Sequence, residues 1–379
     1  MSKVKLGDVV ERVKEFVDKD NTDLTFYIGG EHFESRSLTI KNRGYINGST
    51  IGPAFHHRFR KGDVLLMSRN PHLRKAGMVD FDGICSDVSY VIRTKDENVI
   101  MQKFIPLLFQ CDTFWEFAEK NKKGSTNFFL NWSDFEKFEF DLPAIEKQKK
   151  IVDVLWSIDN TIDTYNNVIK ASDELVKSQF IEMFGTIDLN EQRDEWIELE
   201  KLTKIYTGTT PSSTDDSNWN GDILWITPAE IKNDSFYIYD TVRKLTEKGR
   251  KSKALEIMPI NTVLLSTRAP IGKVAIVGAP MACNQGFKNF ACGEQLNHVF
   301  LYTILKANTE YLNSIGSGTT FLELPKAKIS KVKVPVPNIE MQNDFEKFVQ
   351  QVDKSKFEIE KALNELKNLY QMIIKQGIC

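Results

Sequence analysis

The chain has 379 residues, enough for two domains of ordinary size, and its 41% hydrophobic and 27% charged residues match a water-soluble globular protein. It contains no apolar run of membrane-spanning length, and the charged opening MSKVKLGDVVERV does not fit a secretory signal, so a cytoplasmic location is expected. With 50 Lys and Arg against 52 Asp and Glu the formal net charge is −2, which leaves nucleic-acid binding to local clusters.

Taken in chain order, strands are predicted at 63–67 and 89–92, and a helix at 100–118, where Phe104, Leu107, Leu108 and Cys111 recur at helical spacing. A step at Pro143 leads into a long helix over 145–185, free of proline and stopped by Gly185. Strands follow at 236–239, 263–265 and 274–277. A helix is predicted over 297–312 on Phe300, Leu301, Ile304 and Leu305. Pro335 and Pro337 introduce a second long helix over 339–376, with Gly377 as its stop signal.

The chain repeats itself. Residues 62–69, GDVLLMSR, match 261–268, NTVLLSTR; LPAIEKQ at 142–148 matches VPNIEMQ at 336–342; and GST at 124–126 matches GTT at 318–320. The last two pairs share an offset of 194 residues (142 to 336), the first an offset of 199 (62 to 261).

Both long helices carry a heptad. Ile151, Leu155, Ile158, Ile162, Tyr165, Ile169, Ser172 and Val176 form one seam. Phe345, Val349, Val352, Lys356, Ile359, Leu363, Leu366, Tyr370 and Ile373 form the other. A stripe this narrow must be buried on another helix, and the other copy is the simplest partner. Helices of about 40 residues span roughly 60 Å. The expected fold is α+β: two globular domains separated by two long antiparallel coiled-coil helices, with a pseudo-two-fold internal repeat. The boundaries are 1–144 for the first domain, 145–185 for its helix, 186–337 for the second domain and 338–379 for the C-terminal helix.

Basic residues cluster at matching places. Arg58, Arg60, Lys61, Arg69, Arg74 and Lys75 stand against Asp63 alone, and Arg243, Lys244, Lys248, Arg250, Lys251 and Lys253 against Glu247 alone. A charge run is usually a solvated face, but one in each repeat suggests phosphate contacts. Arg69, Asn70, Arg74, Arg268, Asn284 and Gln285 are candidate base readers, since Arg suits guanine and Asn or Gln suits adenine. For each, a salt bridge or a turn cap is the competing explanation. Lys122, Lys123 and Lys273 complete the candidate DNA contacts.

Catalytic patterns are missing: the sequence has no GxxxxGK[ST], HExxH or GxSxG, and Asn70-Pro71-His72 falls short of an amino-methyltransferase motif. Five widely spaced cysteines without a CxxC and five histidines without ligand spacing indicate neither a disulfide framework nor a metal site.

The stretch TGTTPSSTDDSNWNGDILWITPAEI at 207–231 resembles the opening of a target-recognition domain in type I restriction–modification specificity subunits. CNQGFKNF at 283–290 resembles its following segment, and KGDVLLMSRNPHLRKAGMVDFDGICSDVSYVI at 61–92 a second variety of the domain. LPAIEKQKKIVDVL and VPNIEMQNDFEKFV resemble the segments that lead into that family's central helices. The resemblance implies a non-catalytic subunit that reads a bipartite double-stranded DNA target. Its helices would act as a ruler and dock two methyltransferase subunits, which bring S-adenosylmethionine and adenine N6-methylation, with two restriction subunits able to join. Because the halves differ between their landmarks, the target is expected to be asymmetric. The alternatives are the recognition subunit of another methylation-based defence system, a coiled-coil protein scaffold without DNA specificity, and a self-contained enzyme.

Overall fold

A computed structural model describes residues 2–232, 235–318 and 322–379. Thr319 and Thr320 of the second landmark lie outside the described residues. The chain forms two compact units, one of residues 2–168 with Glu358–Cys379, the other of Ile169–Phe357.

In the first unit, Val10–Val13, Ser89–Thr94, Val64–Met67 and Ala76–Met78 form an antiparallel sheet in that order. A second sheet runs Gly44–Tyr45, Phe26–Ile28, Gly83–Ser86, Phe55–Phe59, with Phe26–Ile28 parallel to Gly83–Ser86. The second unit repeats the plan. Thr203–Thr207, Lys288–Cys292, Val263–Leu265 and Val274–Val277 pair in order, with Tyr237–Ile238 added in parallel at the edge. Its second sheet runs Arg243–Leu245, Trp219–Ile226, Met281–Cys283, again with one parallel pair. Short apolar runs such as VLLM and VAIV are buried on both faces, which is why they lack strand alternation.

The long helices run Ile145–Phe184 and Ile339–Gly377. In the first unit Ile151, Leu155 and Ile158 share a core with Tyr370, Ile374 and Ile378. In the second, Phe180 lies 5.3 Å from Phe345, and Lys356 Nζ lies 2.6 Å from Asp173. Within each unit the helices are therefore antiparallel, with the expected seams inward. The polar interruption Lys356 is answered across the seam by Asp173. Each fully buried aliphatic side chain contributes about 1.5–3 kcal/mol.

The proline–glutamine landmarks have a physical reason. Gln148 is fully buried at the start of the first long helix; its Nε2 donates to the Val99 and Pro143 carbonyls, and its Oε1 accepts from Met101 N. Gln342 does the same with the Gln295 and Pro337 carbonyls and Asn297 N. Each glutamine satisfies three backbone groups that would otherwise be buried unpaired.

Three expectations need correction. The helix over 100–118 is interrupted: Ile105–Leu108 and Asp112–Asn121 are separate, because the Trp115 indole takes the Phe109 carbonyl and Cys111 is extended. The helix over 297–312 likewise splits into His298–Ala307 and Thr309–Ser314 at Asn308, whose side chain ties down Ile187 and Leu189. The cysteines do include a disulfide, between Cys111 and Cys379. These residues are 268 apart in sequence and meet only when the second long helix packs on the first unit. Gly185 follows the first long helix with φ +75°, as a C-terminal glycine should, and the second long helix ends on Gly377, as expected.

Candidate nucleic-acid interface

Each unit builds the same corner at the end of a buried strand, Val64–Met67 in the first and Val263–Leu265 in the second. In the first, Ser68 N–H donates to the Val88 carbonyl, and the Ser68 carbonyl accepts from Leu130 N. Arg69 then bridges to Phe129, which also pairs with Lys123, and Asn70 N–H donates to Phe128 O. In the second unit Thr267 N–H donates to Gly286 O, Leu324 N donates to Thr267 O, and Arg268 bridges to Glu323. Residues 128–130 in the first unit and 323–324 in the second thus back the equivalent arginine.

A lysine closes each corner. Lys75 Nζ donates to the Gly30 carbonyl at 2.6 Å, and Lys273 Nζ to the Pro228 carbonyl at 3.1 Å. Both carbonyls belong to a short turn that follows the parallel strand of the second sheet.

Around the first corner Arg69 is exposed; Lys61 is exposed too but stands before the strand Val64–Met67, with its N–H donating to Asp82. Asn70 and Arg74 flank a short turn with φ +51° and +52°. Arg74 Nη1 lies 2.5 Å from Asp112 Oδ1. Lys122 is paired with Glu119 at 2.6 Å and sits 4.1 Å from the centre of the Phe128 ring, and Lys123 faces Asp134 at 3.8 Å. The structure thus brings Arg69, Asn70, Arg74, Lys122 and Lys123 to one region. It places Arg58 on the second sheet and Arg60 just after that strand, facing Asp82 at 3.9 Å and Glu15 at 3.0 Å respectively.

Around the second corner, the GTTPS segment is held by two indoles: Trp225 Nε1 donates to Thr209 O at 3.2 Å and Trp219 Nε1 to Ser212 O at 2.9 Å. A Cβ on Gly208 would stand 1.9 Å from the Cys283 carbonyl, so only glycine lets the loop pass there. The loop delivers Thr210 to Gln285, whose Oε1 accepts its hydroxyl at 2.7 Å. Gln285 is exposed; the Asn284 side chain instead accepts from Gly286 N, a turn cap. Arg268 pairs with Glu323 at 3.1 Å.

The basic run 243–251 lies on Arg243–Leu245 and Glu247–Ser252. The Arg243 guanidinium lies 3.3 Å from the centre of the Trp219 ring, Lys244 pairs with Asp240, Lys248 with Asp215, and Arg250 and Lys251 both with Glu247. Most of these pairs are solvent-exposed and therefore weakly held, so a polyanion can exchange for the carboxylate at little cost.

Sequence reasoning missed two residues at these corners. Lys288 is buried beside Arg268, with Nζ 3.4 Å from Thr267 Oγ1 and 3.7 Å from Glu323; burial pushes its pKa down, against the pull of Glu323. Arg36 shares Asp112 with Arg74. Nothing in the sequence marks either, since each depends on a partner far along the chain. The thiols are poor nucleophiles: burial pushes Cys283 and Cys292 up to about 12, and Cys85 higher still. Among the described residues no group of three or more His, Cys, Asp or Glu could hold a metal ion, and no helix is long and apolar enough to cross a membrane.

A family model described as a type I restriction modification DNA specificity domain matches residues 1–171 and again 194–368. The MjaIX specificity subunit of a type I restriction enzyme from Methanocaldococcus jannaschii is 36% identical over 173 residues, covering 44% of this chain and 40% of the relative. The putative MjaX specificity subunit of the same organism is 23% identical over 399 residues, 96% of this chain and 91% of the relative. The crystal structure of a type I restriction-modification system S subunit from M. genitalium matches with a TM-score of 0.67 and 14% identity over 100% of this chain and 96% of that one, which shows the shared fold.

Proposed function

The chain belongs to the type I restriction modification DNA specificity family, and on that premise we propose that it is the non-catalytic subunit that selects the DNA sequence in such a complex. Each compact unit reads one part of a split double-stranded target. Because the corner loops differ in sequence (SRNPHLRK against STRAPIGK), the two parts differ and the site is asymmetric. The long helices dock two methyltransferase subunits, which bring S-adenosylmethionine and methylate adenine N6, and two restriction subunits can join. The target base must leave the stack to be methylated, a task for the methyltransferase. The complex acts in the cytoplasm.

The observation that carries this reading is the duplicated corner, with Arg69 and Arg268 at the same place beside exposed polar side chains. Phosphate pairing supplies affinity and base edges supply choice. The test is methylation sequencing of a host expressing this chain with its methyltransferase subunit, against a host lacking this chain. A gapped, asymmetric adenine motif that depends on the chain is expected. A palindromic motif overturns the asymmetric reading, and no motif from a copurifying pair overturns DNA selection itself.

A further inference from the structure

We infer that Arg36, Arg74 and Asp112 form a preassembled clamp for one DNA backbone phosphate in the first recognition unit. This rests on the DNA-reading function proposed above and assigns three of its residues.

Arg36 and Arg74 come from different segments and converge on one carboxylate oxygen. Arg36 Nη2 and Arg74 Nη1 both donate to Asp112 Oδ1, the latter at 2.5 Å. Two guanidiniums repel each other, and the single carboxylate holds them together with one positive charge left over. Each guanidinium has five N–H donors, of which Asp112 engages only one in each case. The arginines are about one-third exposed, 32% and 31%, so water or an anion reaches the remaining donors.

The backbone is arranged for this convergence. Arg36 and Arg74 both have positive φ, +57° and +52°, a conformation that costs energy for a residue with a side chain. They are tied to each other by Arg36 N–H donating to the Arg74 carbonyl at 3.0 Å, beside the bridge between Ser35 and Lys75. Arg74 N–H is held by the Pro71 carbonyl and Lys75 by Gly30. The surrounding structure thus fixes two unfavourable residues so that their side chains meet. A bidentate guanidinium pair suits a tetrahedral dianionic or monoanionic oxygen cluster, and the nearest polyanion in the proposed function is the DNA backbone. Arg69, Asn70 and Lys123 lie on the neighbouring strand end and its backing loop, which continues the positive surface. In this arrangement Arg74 positions the duplex and does not read a base, and Asp112 is a positioning residue.

The test uses the full chain in complex with its methyltransferase subunit and a fluorescein-labelled duplex carrying the motif that methylation sequencing finds for the wild type. Binding is measured across salt concentrations for Arg36→Gln, Arg74→Gln and Asp112→Ala, with the melting temperature recorded for each. Arg36→Gln is expected to weaken binding about 10-fold and to lower the slope of log K against log salt by about 0.9, the value for one phosphate, with the methylated motif unchanged. Asp112→Ala is expected to weaken binding about 3-fold although it removes a negative charge.

An unchanged salt slope with a lowered melting temperature would mean that the arginines only brace the fold, and the clamp would be overturned. A motif relaxed at one position would make them base readers and overturn it too. Tighter binding by Asp112→Ala would show the carboxylate to be a competitor of DNA, against its positioning role. If the wild-type complex yields no motif and binds no duplex, the DNA-reading function falls first, and the clamp with it.

Discussion

Lys75 Nζ donates to the Gly30 carbonyl at 2.6 Å, and Lys273 repeats the contact with Pro228 at 3.1 Å in the other unit. Lys75 ends a basic stretch and Lys273 is a further candidate phosphate contact, yet both ammonium groups are engaged by the protein's own backbone. Lys75→Met and Lys273→Met are each expected to cost about 1.5–3 kcal/mol of stability, the value of a hydrogen bond to a charged donor. Urea denaturation measures this. The salt slope of DNA binding should stay at the wild-type value; a drop of about one would mean that the ammonium leaves the carbonyl for a phosphate.

The buried amides of Gln148 and Gln342 each satisfy three backbone groups at the start of a long helix. Gln148→Leu and Gln342→Leu preserve bulk and leave those groups unpaired. Each is expected to destabilise by about 2–4 kcal/mol, read as a lower urea midpoint with little change of slope. Equal losses for the two substitutions would match the equivalence of the two helix starts.

Asp159 sits in the first unit's helix seam, where burial chiefly, then the neighbouring Asp163 carboxylate, pushes its pKa up to about 6, against the pull of Lys41. The folded state therefore holds this proton more tightly than the unfolded chain. Its stabilising effect is complete below about pH 4 and is lost as pH rises through about 6. Asp159→Asn should raise stability at pH 7.5 by about 1–2 kcal/mol, less than the full shift implies because the group is partly screened by solvent. The gain should vanish near pH 4. A gain of the same size at both pH values would show that it does not come from titration.

The Cys111–Cys379 bond closes a very long loop. Reduction should cost about 3–5 kcal/mol, seen as a lower melting temperature in dithiothreitol. The Cys111→Ser chain should melt at the reduced value with or without reductant.

Gln285 stands exposed at the second corner with its Oε1 engaged by Thr210. Gln285→Ala is expected to relax one base position in the second part of the target and leave the first part intact. Methylation sequencing of the variant reads this directly; loss of the entire motif would place Gln285 in folding, not in choice.

What could be read from the sequence was local or periodic. The two seams need only a count of apolar residues, and burial follows that count from Ile151 to Val176 and from Phe345 to Tyr370. Val263–Leu265 and Val274–Val277 are strands as expected, because β-branched runs between turns carry their own signal. Features that depend on distant partners were not legible. The break after Leu108 arises because the Trp115 indole takes a carbonyl, and nothing in the helical spacing announces it. The disulfide joins residues on elements that meet only in the folded unit. Arg36 is an isolated arginine in a polar stretch, and only the fold brings it to Asp112 beside Arg74. Charge counting along the chain does not show pairing either: Arg250 and Lys251 share Glu247 on their own short helix.

The two compact units are unlike in one respect, the order in which a ribosome would deliver them. Ile169–Phe357 is a single continuous stretch and has all its core residues once Phe357 has emerged. The other unit needs Tyr370, Ile374 and Ile378 to close the core begun by Leu6 and Val9. Since domains generally fold as units during synthesis, the half made first must wait with its helix seam uncovered until the half made second is complete. During that interval it is the part of the newborn chain most in need of a chaperone.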